Sequence, residues 1–213
     1  MKMNKKILFF FPEKKKNLEE IFLTIIKMIP FNFIYMNQQC TLRPAQTLLR
    51  IGYHFGFPLY YKGLPIIHDV KTTPSLYPIF YTGILFKNLI PSFKLLLYTD
   101  ATETSIQSLV VHSKIIRHLH QNDLYNLSFP YYKFHSRENW KPILIQNSLY
   151  LPKNQETIQF HNIHAKQSYL HLLKECHQHQ ILLKIKKGDV LILDNNSVLL
   201  SNDPNQCKCL YLQ

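Results

Sequence analysis

The sequence predicts an α+β domain with a mainly β core, a double-stranded β-helix (jelly roll) decorated by helices. Three observations carry this. Short apolar runs bounded by Gly, Pro, Asn and Asp read as strands; helical stripes interrupt them; and the densest strand pattern lies after Ile181. Strands and helices in that arrangement fit two packed layers around one core. The chain has 213 residues, enough to bury roughly 70% of its unfolded surface without disulfide support. With no internal repeat and no linker, 1–213 reads as one domain, with 1–47 as a helical N-terminal elaboration.

Asn17 to Ile29 sets Leu18, Ile21, Phe22, Ile25 and Ile26 at helical spacing, and Pro30 stops that helix. Phe31 to Met36 suits a short strand. A second helix starts at Thr41-Leu42-Arg43-Pro44, buries Leu48, Leu49 and Tyr53, and ends at Gly56 and Pro58. Between Phe57 and Pro91 the chain is rich in Pro, Tyr and Thr and reads as loops, with a strand through Ile66 to Val70. Ser92 to Thr99 is a strand. From Thr104 onward, Leu109, Val110, Ile116 and Leu119 predict a helix ending near His120, and Asn122-Asp123 caps a short helical turn before Pro130. Pro142 to Leu151 predicts a hairpin around Gln146-Asn147. Ala165, Tyr169, Leu172, Leu173 and Cys176 mark a helix between Asn162 and His177. Strands follow at Ile181 to Ile185, Val190 to Leu193, Ser197 to Leu200 and Lys208 to Leu212. Gly188-Asp189 opens the second of these, and Asp194-Asn195 turns the chain into the third, because Asp and Asn bond their own backbone in turns.

The net charge of +12 raises the possibility of a nucleic-acid partner, since clustered Lys and Arg release counterions from phosphates. The charges are mostly dispersed, however, with dense groups only at Lys14 to Lys16 and Lys184 to Lys187. Abundant Lys, Asn, Ile, Phe and Tyr is also what an AT-rich genome encodes. Cys40, Cys176, Cys207 and Cys209 contain one close pair, a poor zinc site, and read as reduced structural thiols. The apolar run Ile7 to Phe11 is shorter than a signal peptide's h-region of ~7–15 residues. No run approaches the ~18 apolar residues of a membrane span. The expected location is the cytoplasm, away from any membrane.

The segment Lys187-Gly188-Asp189-Val190-Leu191-Ile192-Leu193-Asp194-Asn195-Asn196-Ser197-Val198-Leu199-Leu200 resembles the distal edge of the TauD/TfdA-type iron(II)/2-oxoglutarate dioxygenases, in their clavaminate-synthase-like branch. Other marks follow in order. Leu49 to Tyr61 is similar to the family's "apolar helix, Gly, x, Pro" stretch and Ile67-His68-Asp69-Val70 to the strand after it. Phe80-Tyr81-Thr82-Gly83-Ile84-Leu85-Phe86 stands where the family has "His-Thr-Asp/Glu, x, x, Phe", and Ala101-Thr102-Glu103-Thr104-Ser105 where it has "Gly-x-Thr". The resemblance runs from about Leu48 to Gln213 as a series of ordered short motifs.

It implies a jelly-roll fold and, in the family, iron held by two His and one carboxylate with positions left for 2-oxoglutarate and oxygen. Here Tyr81 stands for the first His, Gly83 for the carboxylate and Leu200 for the second His. The resemblance therefore implies no metal ligands, no catalytic residues and no expected cofactor. Thr104, at the position that commonly contacts 2-oxoglutarate, and Lys208, the cation of the shortened last segment, remain candidates for holding a carboxylate. Lys does so less specifically than the family's Arg, because it lacks the planar fork.

Substitute ligands find little support. His68 and Asp69 are adjacent on a strand and point to opposite faces. Among His161, His164, His171, His177 and His179, the carboxylate at matching spacing is Glu175, four after His171, and solvent-facing histidines on an amphipathic helix are the expectation. No nucleophile elbow or phosphate-binding Gly loop is present. The leading expectation is a degenerate, non-catalytic homologue that binds a small amino-acid-like ligand or a protein partner. An active iron(II)/2-oxoglutarate-dependent hydroxylase of an amino acid is the alternative, and a basic nucleic-acid-binding protein the third.

Overall fold

Strands whose two faces are both apolar need cover on both sides, and that need organises the chain. The computed structural model describes residues 7–9, 32–37, 43–70, 80–81, 91–101, 105–134, 139–152, 155, 157–201 and 206–213. Ten strands among them build two main sheets. They are β1 (Ile7–Phe9), β2 (Phe33–Met36), β3 (Ile67–Val70), β4 (Phe80–Tyr81), β5 (Phe93–Asp100), β6 (Ile106–Val111), β7 (Ile181–Lys184), β8 (Val190–Asp194), β9 (Val198–Ser201) and β10 (Gln206–Leu212). The larger sheet has the order β1-β2-β8-β5-β10-β3 and the smaller β7-β6-β9-β4. All pairings are antiparallel except that of β1 with β2.

Period-two alternation assigns each strand residue to a layer. Phe33, Tyr35, Leu96, Tyr98, Leu191, Leu193, Cys207, Cys209 and Tyr211 of the larger sheet meet Leu109, Val111, Leu183, Val198 and Leu200 of the smaller in one inter-sheet core. Their neighbours Ile34, Met36, Leu95, Leu97, Val190, Ile192, Leu210 and Leu212 face the other way, under helix α1 (Pro44–Gly52). Val110 and Leu199 leave the smaller sheet outward, into a third core under α2 (His112–His118), α3 (Gln121–Ser128) and α4 (Ile163–Gln178). The layers are therefore helix, sheet, sheet, helices. No helix among the described residues is long and apolar enough to cross a membrane.

The expected strand pattern of the C-terminus is present. Gly188, at φ 91°, takes a backbone conformation that favours Gly, and its amide donates to the carbonyl of Tyr98 at 2.8 Å. Val190 to Leu193 is buried throughout. At the turn, the Asp194 carboxylate accepts from the Asn196 amide at 3.0 Å and from the Ser197 hydroxyl. This turn carries the chain from one sheet to the other, so β8 and β9 pair with different neighbours and not with each other. The hairpin at Gln146-Asn147 pairs Leu144-Ile145 with Ser148-Leu149, with φ of 48° and 66° at its two central residues. Cys176, Cys207 and Cys209 are buried and lie outside any disulfide.

Three expectations need correction. Ile106–Val111, expected as the first half of a helix, is strand β6. Its second half, Leu109-Val110-Val111, faces a core on each side, and so short an apolar run has no periodicity by which to separate strand from buried helix; pairing with β7 and β9 decides. Asn122-Asp123 lies inside α3, which begins at Gln121 after His120, with no side-chain cap. Tyr53 is 55% exposed, and the buried face of α1 is Thr47, Leu48, Ile51 and Gly52. The strand expected at Phe31 to Met36 is present as β2, and β1 joins it at the edge of the larger sheet. The helix expected at Asn17 to Ile29 and Cys40 lie outside the described residues.

Candidate functional site

The sheet pairing brings together two of the three positions that stand for iron ligands. On β9, Leu200 lies opposite Tyr81 of β4 on one side and Leu109 of β6 on the other. Its side chain is 2% exposed and belongs to the inter-sheet core. Gly83 and Thr104 fall outside the described residues. Beside Leu200 runs a buried polar chain: the Tyr98 hydroxyl donates to Gln107 Oε1 at 3.1 Å, and Gln107 Nε2 donates to Ser201 Oγ at 3.0 Å and to the Ser201 carbonyl at 3.1 Å. A second buried polar centre is Asp189, whose carboxylate accepts from the Tyr35 hydroxyl and, at 2.7 Å, from the Lys186 amide. Burial, and then the adjoining Asp189, push the Tyr35 phenol well above its ordinary value of 10.0.

Lys208 is placed elsewhere. Cys207 and Cys209 face the inter-sheet core, so the residue between them faces outward. There the Lys208 ammonium pairs with Asp69 at 2.6 Å, directly across the β10–β3 pairing. The same alternation turns His68 inward, beside the Tyr211 ring at 6.1 Å, so His68 and Asp69 do occupy opposite faces. Lys94, which the sequence reading passed over, is 2% exposed within β5, with its ammonium 5.9 Å from the centre of the Tyr211 ring.

An iron(II) site of the 2-His-1-carboxylate kind needs two imidazoles and a carboxylate on one open face. The described inter-sheet residues do not fit it. Apolar side chains dominate there; Gln107 and Ser201 are neutral; Asp189 is engaged by Tyr35 and Lys186. The inward imidazole, His68, sits exposed on the edge strand.

A different set of metal-type donors lies outside the smaller sheet. Glu175 and His179 are one turn apart at the end of α4, with His179 Nε2 3.2 Å from Glu175 Oε2. His118, the last residue of α2, stacks on His179 with ring centres 4.0 Å apart. Donor atoms of the three lie within 4.8 Å of one another. A cleft of about 130 Å³ adjoins them, lined by His118, His120, Asp123, His171, Lys174 and Glu175. Asp123, 7% exposed, is held there at 3.2 Å from His171 Nδ1. The reading of α4 histidines as solvent-facing holds for His161, His164 and His171; His177 and His179 are half-buried. The signal for the cluster was partly present, since Glu175 precedes His179 by four residues as it follows His171 by four. His118 joins only through the packing of α2 against α4.

The two-sheet arrangement and its flanking helices are similar in fold to solved non-heme iron oxygenases of the TauD/clavaminate-synthase-like fold. One similar structure is an asparagine oxygenase in complex with Fe(II), 2S,3S-3-hydroxyasparagine and succinate, at a TM-score of 0.68 and 12% identity over 91% of this chain and 78% of that one. Another is the non-heme iron oxygenase OrfP in complex with Fe and alpha-ketoglutaric acid, at a TM-score of 0.70 and 15% identity over 92% and 80%. OrfP with Fe, succinate and (3S)-hydroxy-L-Arg gives 0.66 and 13% over 95% and 81%. At these identities the likeness is one of fold. No protein-family model matches the chain, and comparison with curated proteins gives no match.

Proposed function

We propose that this chain is a degenerate relative of the iron(II)/2-oxoglutarate oxygenases, keeping the jelly-roll scaffold without its iron triad and acting by binding an amino-acid-like small molecule or a protein partner. The observation that carries the reading is Leu200, an aliphatic side chain buried opposite Tyr81 at the position where the family resemblance puts a ligating His. Leucine offers no donor to a metal, and its volume fills the space a ligand set would need. The polar chain of Tyr98, Gln107 and Ser201 beside it is neutral and bonded within itself, and it offers a metal neither an imidazole nor a carboxylate.

A second reading, an active amino-acid hydroxylase, is favoured by the likeness to oxygenases crystallised with hydroxylated asparagine and arginine. It needs ligands from outside the described inter-sheet residues. Anaerobic reconstitution with iron(II), metal analysis and an assay of succinate released from 2-oxoglutarate separate the two. Metal is counted on a His118→Ala/His179→Ala background, which removes the surface cluster. The degenerate reading expects no iron and no succinate, and iron binding gained only in a Tyr81→His/Gly83→Asp/Leu200→His variant. Near-stoichiometric iron with turnover in the chain carrying Tyr81, Gly83 and Leu200 would establish the hydroxylase instead.

A further inference from the structure

The geometry points to a divalent transition-metal site, with zinc as its first candidate, formed on the outer surface by His118, Glu175 and His179. It lies beyond the smaller sheet from the inter-sheet core and is independent of the reading just given.

Two imidazoles and one carboxylate are a donor set zinc takes when a fourth position is left for water. Each donor comes from a defined place. Glu175 and His179 share one face of α4, because residues four apart on a helix are neighbours; they already approach to 3.2 Å. His118 ends α2 and lies over His179 at 4.0 Å between ring centres. The donor atoms span at most 4.8 Å. Zinc bonds of about 2.0–2.2 Å need donors roughly 3–4 Å apart, so the site forms by closure of roughly 1 Å together with a turn of the exposed His118 ring out of its 27° stack on His179, which aims both in-plane lone pairs at one point. His118 is the last residue of α2 and His179 the C-cap of α4. Helix C-termini carry partial negative charge on their unpaired carbonyls, which favours a cation over an anion here.

The open side of the cluster is the cleft, about 130 Å³ and open to solvent, so water has access to a fourth position. A water in the fourth position would therefore face Asp123 and His171, whose paired carboxylate and imidazole are placed to take up its protons by hydrogen bonding. Lys174 also lines this cleft; its positive charge is the feature that works against a cation, and its removal is an internal control.

The test is zinc binding to the full chain by calorimetry, with cobalt(II) absorption as the spectroscopic readout of coordination. The expected result is one zinc per chain, with tetrahedral cobalt(II) bands. His118→Ala, His179→Ala and Glu175→Gln should each weaken binding at least about tenfold, since loss even of partners one step removed from a metal costs 10–100-fold. Lys174→Ala should leave binding equal or tighter, and His164→Ala, an exposed histidine of the same helix, unchanged. Circular dichroism melting in the absence of metal checks that each variant is folded. No binding by the unaltered chain overturns the proposal. So does binding that persists in the folded His118→Ala/His179→Ala double variant, which would place the metal on other histidines.

Discussion

His112 is 1% exposed at the start of α2. Its Nδ1 accepts the amide of Leu149 at 3.2 Å, which makes Nε2 the protonated nitrogen of the neutral ring. Among the described residues none completes a hydrogen bond to that Nε2, the backbone of Asn196 making only a partial interaction with the ring. Burial pushes the imidazole down to about 3, and the backbone of Asn196 offsets this only in part. The folded value lies below the ordinary 6.5, so between the two the unfolded chain binds the extra proton. Stability from the neutral ring is complete above about pH 6.5 and is lost as pH falls towards 3, by up to about 1.4 kcal/mol per pH unit. Urea unfolding between pH 7 and 4 measures it. The slope of unfolding free energy against pH should fall by about one proton's worth in His112→Asn, whose Oδ1 still accepts from Leu149; an unchanged slope would mean His112 is not the titrating group. Burial has the opposite numerical effect on an acid, and pushes the Cys176 thiol up to about 12, which keeps it inert.

The elements differ in how far the sequence reveals them. In α4, five residues of one stripe announce the helix, and the structure adds an N-cap, Asn162, whose Oδ1 accepts the Ala165 amide at 2.8 Å. Asn162→Ala should cost about 1 kcal/mol, read as a lowered urea midpoint; a midpoint equal to that of the parent would show that the cap adds nothing beyond the packing of Ala165, Tyr169, Leu172 and Cys176. The turn after β8 was legible for a similar reason, because Asp194 supplies its own backbone partners locally. β6 was not, since no local signal says whether its short apolar half, Leu109 to Val111, is strand or helix. The candidate sites divide in the same way. Leu200 could be placed by motif order. The outward aim of Lys208 follows from its position between two buried cysteines, but only once β10 is known to be covered on that face. The His118 contribution to the surface cluster is purely tertiary.

At the scale of the molecule, the smaller sheet separates two cores, and adjacent residues of one strand answer to different ones. Leu199, 0% exposed, faces the helices, and Leu200, 2% exposed, faces the larger sheet. Each truncation to Ala removes similar volume and should cost about 2–5 kcal/mol, yet the consequences should appear in different places. Leu199 packs in the core that contains Ala165, Tyr169, Leu172 and Cys176, so Leu199→Ala should loosen α4 and, through Glu175 and His179, the surface cluster. Leu200 packs with Leu96, Tyr98, Leu109 and Cys209, so Leu200→Ala should loosen β5 and β10 while α4 stays protected. Native-state hydrogen exchange resolves this, because locally opened units exchange ahead of the rest. Faster exchange in Ile163–Gln178 is expected for Leu199→Ala alone, and in Phe93–Asp100 for Leu200→Ala. If both variants accelerate the same peptides equally, the two cores open as one unit and the sheet does not insulate the surface cluster from the scaffold's interior.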